Sequence, residues 1–129
     1  MLALLTNGRY QFVYDDDFKI CDNLSGGIAR SVTTLSGGET FLASLSLAMA
    51  VTEFTAMFRG REIEFMFLDE GFGTLDEYSL DTAIQTLLTL GDTGRMVGII
   101  SHVQQLRAYI PTRLEVRYSP TGSSVKWAL

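Results

Sequence analysis

The sequence contains two lysines, Lys19 and Lys126, and neither follows a glycine. The lysine-bearing phosphate loop G-x-x-x-x-G-K-[ST] is therefore absent from this chain. A single cysteine, Cys21, excludes an internal disulfide and suits a reducing compartment. Basic residues number 10 against 15 acidic ones, for a net charge of −5. The chain thus lacks the overall cationic footprint of a nucleic-acid binder. Arg59 and Arg61 make only a small basic turn, which reads more simply as a solvated loop. A secretory leader is not expected, because the apolar start at residues 1–5 is short and runs into Thr6-Asn7-Gly8. Internal repeats, low-complexity tracts and heptad runs are also missing.

What is present is apolar. Of 129 residues, 47% are hydrophobic, and the mean hydropathy is +0.18. The length suits one domain spanning 1–129 with a substantial core. The hydrophobic excess implies either a tight core or a core plus an apolar face meant for another polypeptide segment. Residues 41–58 form the longest apolar stretch, interrupted by Ser44, Ser46, Thr52, Glu53 and Thr55. A buried helix accounts for it better than a membrane span does.

Alternating segments predict short strands at residues 9–14, 18–22 and 28–32, with turns at Asp15-Asp16-Asp17 and residues 23–27. The second turn contains Leu24-Ser25-Gly26-Gly27, which is not followed by a helical pattern and reads as a hairpin turn. A long helix is expected at 39–58, ended by Gly60. A strand at 63–68 shows little polar alternation, as a central parallel strand would. A helix at 77–90, an apolar strand at 95–100 and a short helix at 103–109 stopped by Pro111 follow. Residues 114–118 and 124–127 predict a closing hairpin around Pro120-Thr121-Gly122. The start at residues 2–6 looks like the stub of a longer helix.

Three segments carry chemistry. Ser36, with Glu39 three residues later and an apolar helix behind it, fits a capping box. The same geometry leaves backbone N–H groups at the positive end of a helix dipole, and two glycines let a phosphate approach closely. Phe65-Met66-Phe67-Leu68 leads into Asp69-Glu70 where a strand should end. Ligands of open α/β sheets bind beyond the carboxyl ends of strands, and an acidic pair there can hold hydrated Mg²⁺ and position a water. Ser101-His102 follows the next apolar strand. The helix between the strands is long enough for a right-handed crossover, which would bring Asp69, Glu70 and His102 to one edge. Between them Gly71-Phe72-Gly73-Thr74-Leu75-Asp76 predicts a tight reversal and a helix capped by Asp76.

In this order, Leu35-Ser36-Gly37-Gly38-Glu39, Phe67-Leu68-Asp69-Glu70, Gly73-Thr74-Leu75-Asp76 and Ser101-His102 resemble the signature motif, Walker B, D-loop and switch histidine of ABC-type ATPases. Glu39 followed by Thr40-Phe41-Leu42-Ala43-Ser44-Leu45, and the turn Gly71-Phe72-Gly73, are most similar to the SbcC branch, the ATPase subunit of a DNA-repair nuclease. Leu5-Thr6-Asn7-Gly8-Arg9-Tyr10 resembles the point where that family's coiled coil re-enters the head. The resemblance covers nearly the whole chain.

It implies an α/β fold, the C-terminal lobe of an ABC-type ATPase head. A central, mostly parallel sheet would be flanked by helices, with a small antiparallel N-terminal strand region and a closing hairpin. It implies ATP and Mg²⁺ as cofactors. Leu35, Ser36, Gly37, Gly38 and Glu39 would bind nucleotide in trans, with the Ser36-Gly37-Gly38 stretch on the γ-phosphate of ATP held by the opposite head. Asp69 would hold Mg²⁺ through water, Glu70 would orient or deprotonate the hydrolytic water, and His102 would contact the γ-phosphate. The D-loop Gly73-Thr74-Leu75-Asp76 would couple the two sites across the dimer through Asp76. The implied partners are the N-terminal Walker A lobe, a second head as homodimer, an SbcD-like nuclease subunit and double-stranded DNA ends, with no membrane and a cytoplasmic, nucleoid-associated location. Without the Walker A lobe, the chain alone is expected to bind ATP weakly and to hydrolyse none. The alternatives are a head fragment of a chromosome-structural (SMC or RecN-like) ATPase, a transporter nucleotide domain, and a non-catalytic interaction domain that keeps the fold as scaffold.

Overall fold

A computed structural model describes residues 1–60, 63–92, 94–110 and 112–128. Among the described residues there are three sheets, and one long helix packs against two of them. The short helix α1 (Leu2–Leu5) leads into an antiparallel meander of β1 (Tyr10–Asp15), β2 (Asp17–Asp22) and β3 (Ile28–Ser31). Its register places Tyr10 opposite Asp22, and Ile20 opposite both Phe12 and Arg30. The expected hairpin turn at 23–27 is a single 3-10 turn, Asn23–Ser25, followed by Gly26 and Gly27 in left-handed conformation. Asp22 fastens it by accepting from Leu24 N at 3.0 Å.

Helix α2 (Gly37–Arg59) begins two residues before the expected start and ends at Gly60, as anticipated. Leu42, Leu45, Met49 and Thr52 recur at helical spacing and are buried. The first three belong to the main core, while Ala43 reaches across to the smaller core of Leu2, Tyr10 and Ile20. One helix therefore ties the meander to the core shared by α3 and the parallel strands.

The expectation that α2 is buried on most sides fails over its second half. Val51, Phe54, Met57 and Phe58 are 56–82% exposed. By helical spacing, Leu47, Val51, Phe54 and Phe58 line the side opposite Leu42 and Met49. The helix carries two apolar stripes, and the fold covers one of them. Its 23 residues and mean hydropathy of 1.6 would suit a membrane span, but the covered stripe packs into protein core.

Strand β4 (Phe65–Asp69) starts two residues later than predicted and takes in Asp69. Helix α3 (Glu77–Asp92) crosses over to β5 (Met96–Ile100), which pairs with β4 in parallel, Phe65 opposite Met96 and Asp69 opposite Ile100. On one face Met66, Leu68, Val97 and Ile99 pack on the core with Leu80, Ala83, Ile84 and Leu87 of α3. On the other face Phe65, Phe67, Met96 and Ile100 are 48–67% exposed. The expected central strand is thus covered on one side, although parallel strands normally lie buried on both. Among the described residues the parallel part of the sheet is this one pair.

The last helix, α4 (Leu106–Tyr109), is shorter than the predicted 103–109. Ser101 Oγ accepts from Val103 N at 3.1 Å, so the chain turns locally before the helix can start. Tyr109 Oη donates to Asp81 at 2.8 Å and pins α4 to α3. The predicted stop, Pro111, and the predicted basic-turn residue Arg61 lie outside the described residues. The closing hairpin, β6 (Arg113–Ser119) and β7 (Gly122–Ala128), turns at Pro120-Thr121, with Gly122 already in the strand.

Phe72, 1% exposed, is the largest fully buried side chain and stacks on Phe41 with ring centroids 4.8 Å apart. Phe72→Ala is expected to cost about 3–5 kcal/mol of stability, read from urea unfolding monitored by circular dichroism. Phe67→Thr, on the bare face, is expected to change stability by less than about 1 kcal/mol and to lower binding of a hydrophobic dye. Similar losses from the two variants would contradict this division of covered and bare faces.

Candidate functional site

Ser36 caps α2. Its Oγ accepts from Glu39 N at 3.3 Å, and its own N–H donates to Glu39 Oε2 at 2.8 Å, so the capping box is complete. Gly37 is exposed and Gly38 half-buried. The open part of the predicted amide nest at Leu35–Glu39 is thus the Gly37 and Gly38 amides, because the Leu35, Ser36 and Glu39 N–H groups are already bonded within the chain.

The other carboxylate oxygen of Glu39 is held by residues to which sequence reasoning assigned no site role. Tyr10 Oη donates to Oε1 at 2.5 Å, and Arg9 Nη1 lies 3.5 Å from it. Arg9 also pairs with buried Asp22 at 3.3 Å, and Arg30 Nη2 approaches Asp22 at 3.9 Å and the Tyr10 hydroxyl at 3.4 Å. Burial, with the Glu39 hydrogen bond second, pushes the Tyr10 phenol up to about 12. Burial alone would push the Glu39 carboxyl up, but hydrogen bonds from Tyr10 and Ser36 outweigh it and hold it below its usual range. Asp22 is likewise depressed, Arg9 and Leu24 N–H overcoming its burial. The signal that could have found this network is the pleat, which sets Tyr10 opposite Asp22 on the face of the meander that also carries Arg30, diagonal to Asp22 on β3.

At the far end of the parallel pair, the crossover does what the spacing predicted. Glu70 N–H donates to Ile100 O at 3.0 Å and extends the ladder one residue beyond β4. Glu70 Oε2 and His102 Nδ1 then meet at 2.9 Å, with the two side chains 49% and 78% exposed. Glu70 holds φ +60°, a left-handed conformation that is uncommon away from glycine and is found at functional sites. Asp69 ends β4 on the exposed face. Among the described residues, no three histidines, cysteines or carboxylates gather as a metal cage.

The signature loop and the Glu70–His102 pair do not touch. The turn Gly71–Leu75 stands between them, with Phe72–Thr74 in 3-10 conformation. Gly71 has φ +98°, and a Cβ there would overlap the Phe41 ring, so this position demands glycine. A Cβ on Gly38 would lie 2.9 Å from the Thr74 carbonyl oxygen, and one on Gly73 would lie 3.4 Å from His102 Nε2. Asp76 accepts from Ser79 N and Ser79 Oγ, both at 2.9 Å, and the Ser79 amide is the main reason its pKa is lowered. Asp76 caps α3 as expected and shares with Ser36, Gly38 and Glu39 a cleft of about 320 Å³.

The SbcC/RAD50-like, Walker B motif family model matches residues 8–89. The chain is 44% identical over 131 residues to the SbcC polypeptide of nuclease SbcCD from Bacillus subtilis, covering 99% of this chain and 12% of that protein. It is 45% identical over 126 residues to its counterpart from Deinococcus radiodurans, covering 97% of this chain and 14% of that protein. The chain thus spans a small fraction of these curated relatives' length. A structure solved to study ATP-driven dimerization and DNA-stimulated activation of SMC ATPases superposes with a TM-score of 0.75 at 17% identity, over 98% of this chain and 78% of that one. The mixed α/β fold is that of SMC ATPase heads.

Two pH limits follow. The ordinary values for Glu39 and Asp22 are 4.5 and 3.8, and both are lowered in the fold. Their stabilisation is complete above the ordinary values and is lost as the pH falls through the lower, folded ones. The melting temperature should hold above about pH 5 and fall in more acid solution. Tyr10→Phe should cost about 1–2 kcal/mol at neutral pH and flatten that fall. A melting temperature unchanged from about pH 6 down to about pH 3 would show that these carboxylates gain nothing from their partners.

Proposed function

The chain belongs to the SbcC/RAD50-like family, whose Walker B part it carries, and we propose on that footing that it is the signature and Walker B lobe of an ATPase head that hydrolyses ATP between two such heads. The carrying observation is the meeting of Glu70 and His102 at 2.9 Å, at the adjacent ends of two parallel strands, with Asp69 one residue away. The left-handed conformation of Glu70 beside that histidine supports this reading over a non-catalytic scaffold.

Phosphoryl transfer needs a positioned water and compensation of charge more than covalent help. Glu70 is placed to orient or deprotonate the water. His102 can offer Nε2 to the γ-phosphate while Nδ1 stays on Glu70. Asp69 suits Mg²⁺, which usually keeps several waters and takes one or two carboxylates plus phosphate oxygens rather than a cage of protein ligands. Bound there, Mg²⁺ would neutralise phosphate charge. Ser36, Gly37 and Gly38 present the helix start to the nucleotide of the second head, and Glu39 keeps that start rigid through Tyr10 and Ser36.

Two apolar surfaces support a lobe that works joined to another. The bare face of β4–β5 and the bare stripe of α2 expose large side chains that a missing cover would bury. The cover proposed is the N-terminal Walker A lobe. The relatives are named as nuclease subunits, and the proposed whole couples ATP turnover to processing of double-stranded DNA ends, with a nuclease subunit, in break repair. It would act in the cytoplasm.

The test joins this chain to a Walker A lobe and measures ATP hydrolysis and ATP-dependent dimerisation. Glu70→Gln should lower hydrolysis by about 100-fold or more and prolong the engaged dimer. The chain alone should show no turnover. Turnover by the isolated chain, or a Glu70→Gln head with undiminished hydrolysis, would overturn the assignment.

A further inference from the structure

We propose that Asp22 anchors a brace that grips the signature loop on both flanks and so positions the open Gly37 and Gly38 amides. The inference rests on the reading that this loop meets the nucleotide of a second head. Its own evidence lies in the meander, outside the motif segments.

Gly37 and Gly38 have no side chains by which to be held. Their placement is decided by what grips the residues before and after them. Before them, Arg30 Nη1 donates to Thr34 O at 3.0 Å and also bonds the Thr34 hydroxyl. After them, Glu39 accepts from the Tyr10 hydroxyl at 2.5 Å and has Arg9 Nη1 at 3.5 Å. The capping box shapes the helix start locally, and these contacts set where that start sits on the meander.

Both arms run back to one atom. Asp22 Oδ2 lies 3.3 Å from Arg9 Nη2 and 3.9 Å from Arg30 Nη2. Its other oxygen accepts from Leu24 N at 3.0 Å, which holds the carboxylate from the opposite side. The two guanidinium carbons sit 4.6 and 5.7 Å from the centroid of the Tyr10 ring. The Asp22 side chain is 3% exposed, and a buried carboxylate stripped of its cations is costly. That cost keeps both arginines in place, with other donors left over for Thr34 and Glu39. Asp22 is a positioning residue in this scheme, acting through Arg9 and Arg30.

The test joins the chain to a Walker A lobe and reads the head concentration at which dimerisation by ATP is half complete. Asp22→Asn keeps the shape of the side chain and removes its charge. It is expected to raise that concentration about 10-fold or more, since small displacements of a site are steeply costly. Arg30→Gln breaks one arm and leaves Asp22 paired with Arg9, so it should raise the concentration less. It also carries the test should Asp22→Asn not fold. The double variant should be no worse than Asp22→Asn alone, because the arm is already lost. Tyr109→Phe removes the bond from α4 to Asp81; it controls for lost stability and should leave the concentration unchanged. A concentration unmoved by Asp22→Asn and Arg30→Gln, additive losses in the double variant, or an equal shift from Tyr109→Phe would each overturn the brace. A second measurement needs no nucleotide: the Gly37 and Gly38 amide signals of the chain alone, which Asp22→Asn and Arg30→Gln should shift and Tyr109→Phe should not. If those signals move while no head engages with ATP, the ATPase reading fails and the brace stands. If heads engage while the signals stay in place, the brace fails and the ATPase reading stands.

Discussion

The seat of Phe72 against Phe41 organises this molecule. It fastens a tight, glycine-rich turn to the first turns of α2 and so sets the relation between the signature loop and the ends of the parallel strands. The demand is strict, because Gly71 must be glycine for the Phe41 ring to lie where it does. Buried aromatic area supplies the energy, and close backbone approach supplies the geometry.

Around that seat the chain separates two kinds of order. The amide nest is held from outside, by the Tyr10, Arg9 and Asp22 network of the meander acting through Glu39. Glu70 and His102 are held by the ladder of β4 and β5 and by each other, and remain largely exposed. An exposed side-chain pair of this kind contributes little to stability. The bare apolar stripe of α2 and the bare face of the parallel pair belong to the same logic, a lobe whose core is complete on one side and open on the other.

Much of the architecture was legible from residue patterns. The capping box at Ser36 and Glu39, the Asp76 cap and the Gly60 stop depend on near neighbours in sequence, where local geometry allows few solutions, and the parallel crossover follows from two apolar strands joined by one helix. The errors have both local and distant causes. The helix at 103–109 lost its first turn to the Ser101 hydroxyl. Residues 63 and 64 stayed outside the strand. The burial expected for the second half of α2 is missing, because apolar spacing states which faces want cover and not whether cover is present.

The sequence by itself determined the order of the site segments, their helix caps and strand ends, and the lack of a lysine phosphate loop, because each is written in contiguous residues of fixed spacing. Only the tertiary structure decided that Glu39 is clamped by Tyr10 and Arg9, that Gly38 rests on Thr74, and that Gly73 lies against His102. Those contacts join residues far apart along the chain, and they exist only once the meander, the long helix and the parallel pair have packed around a common core.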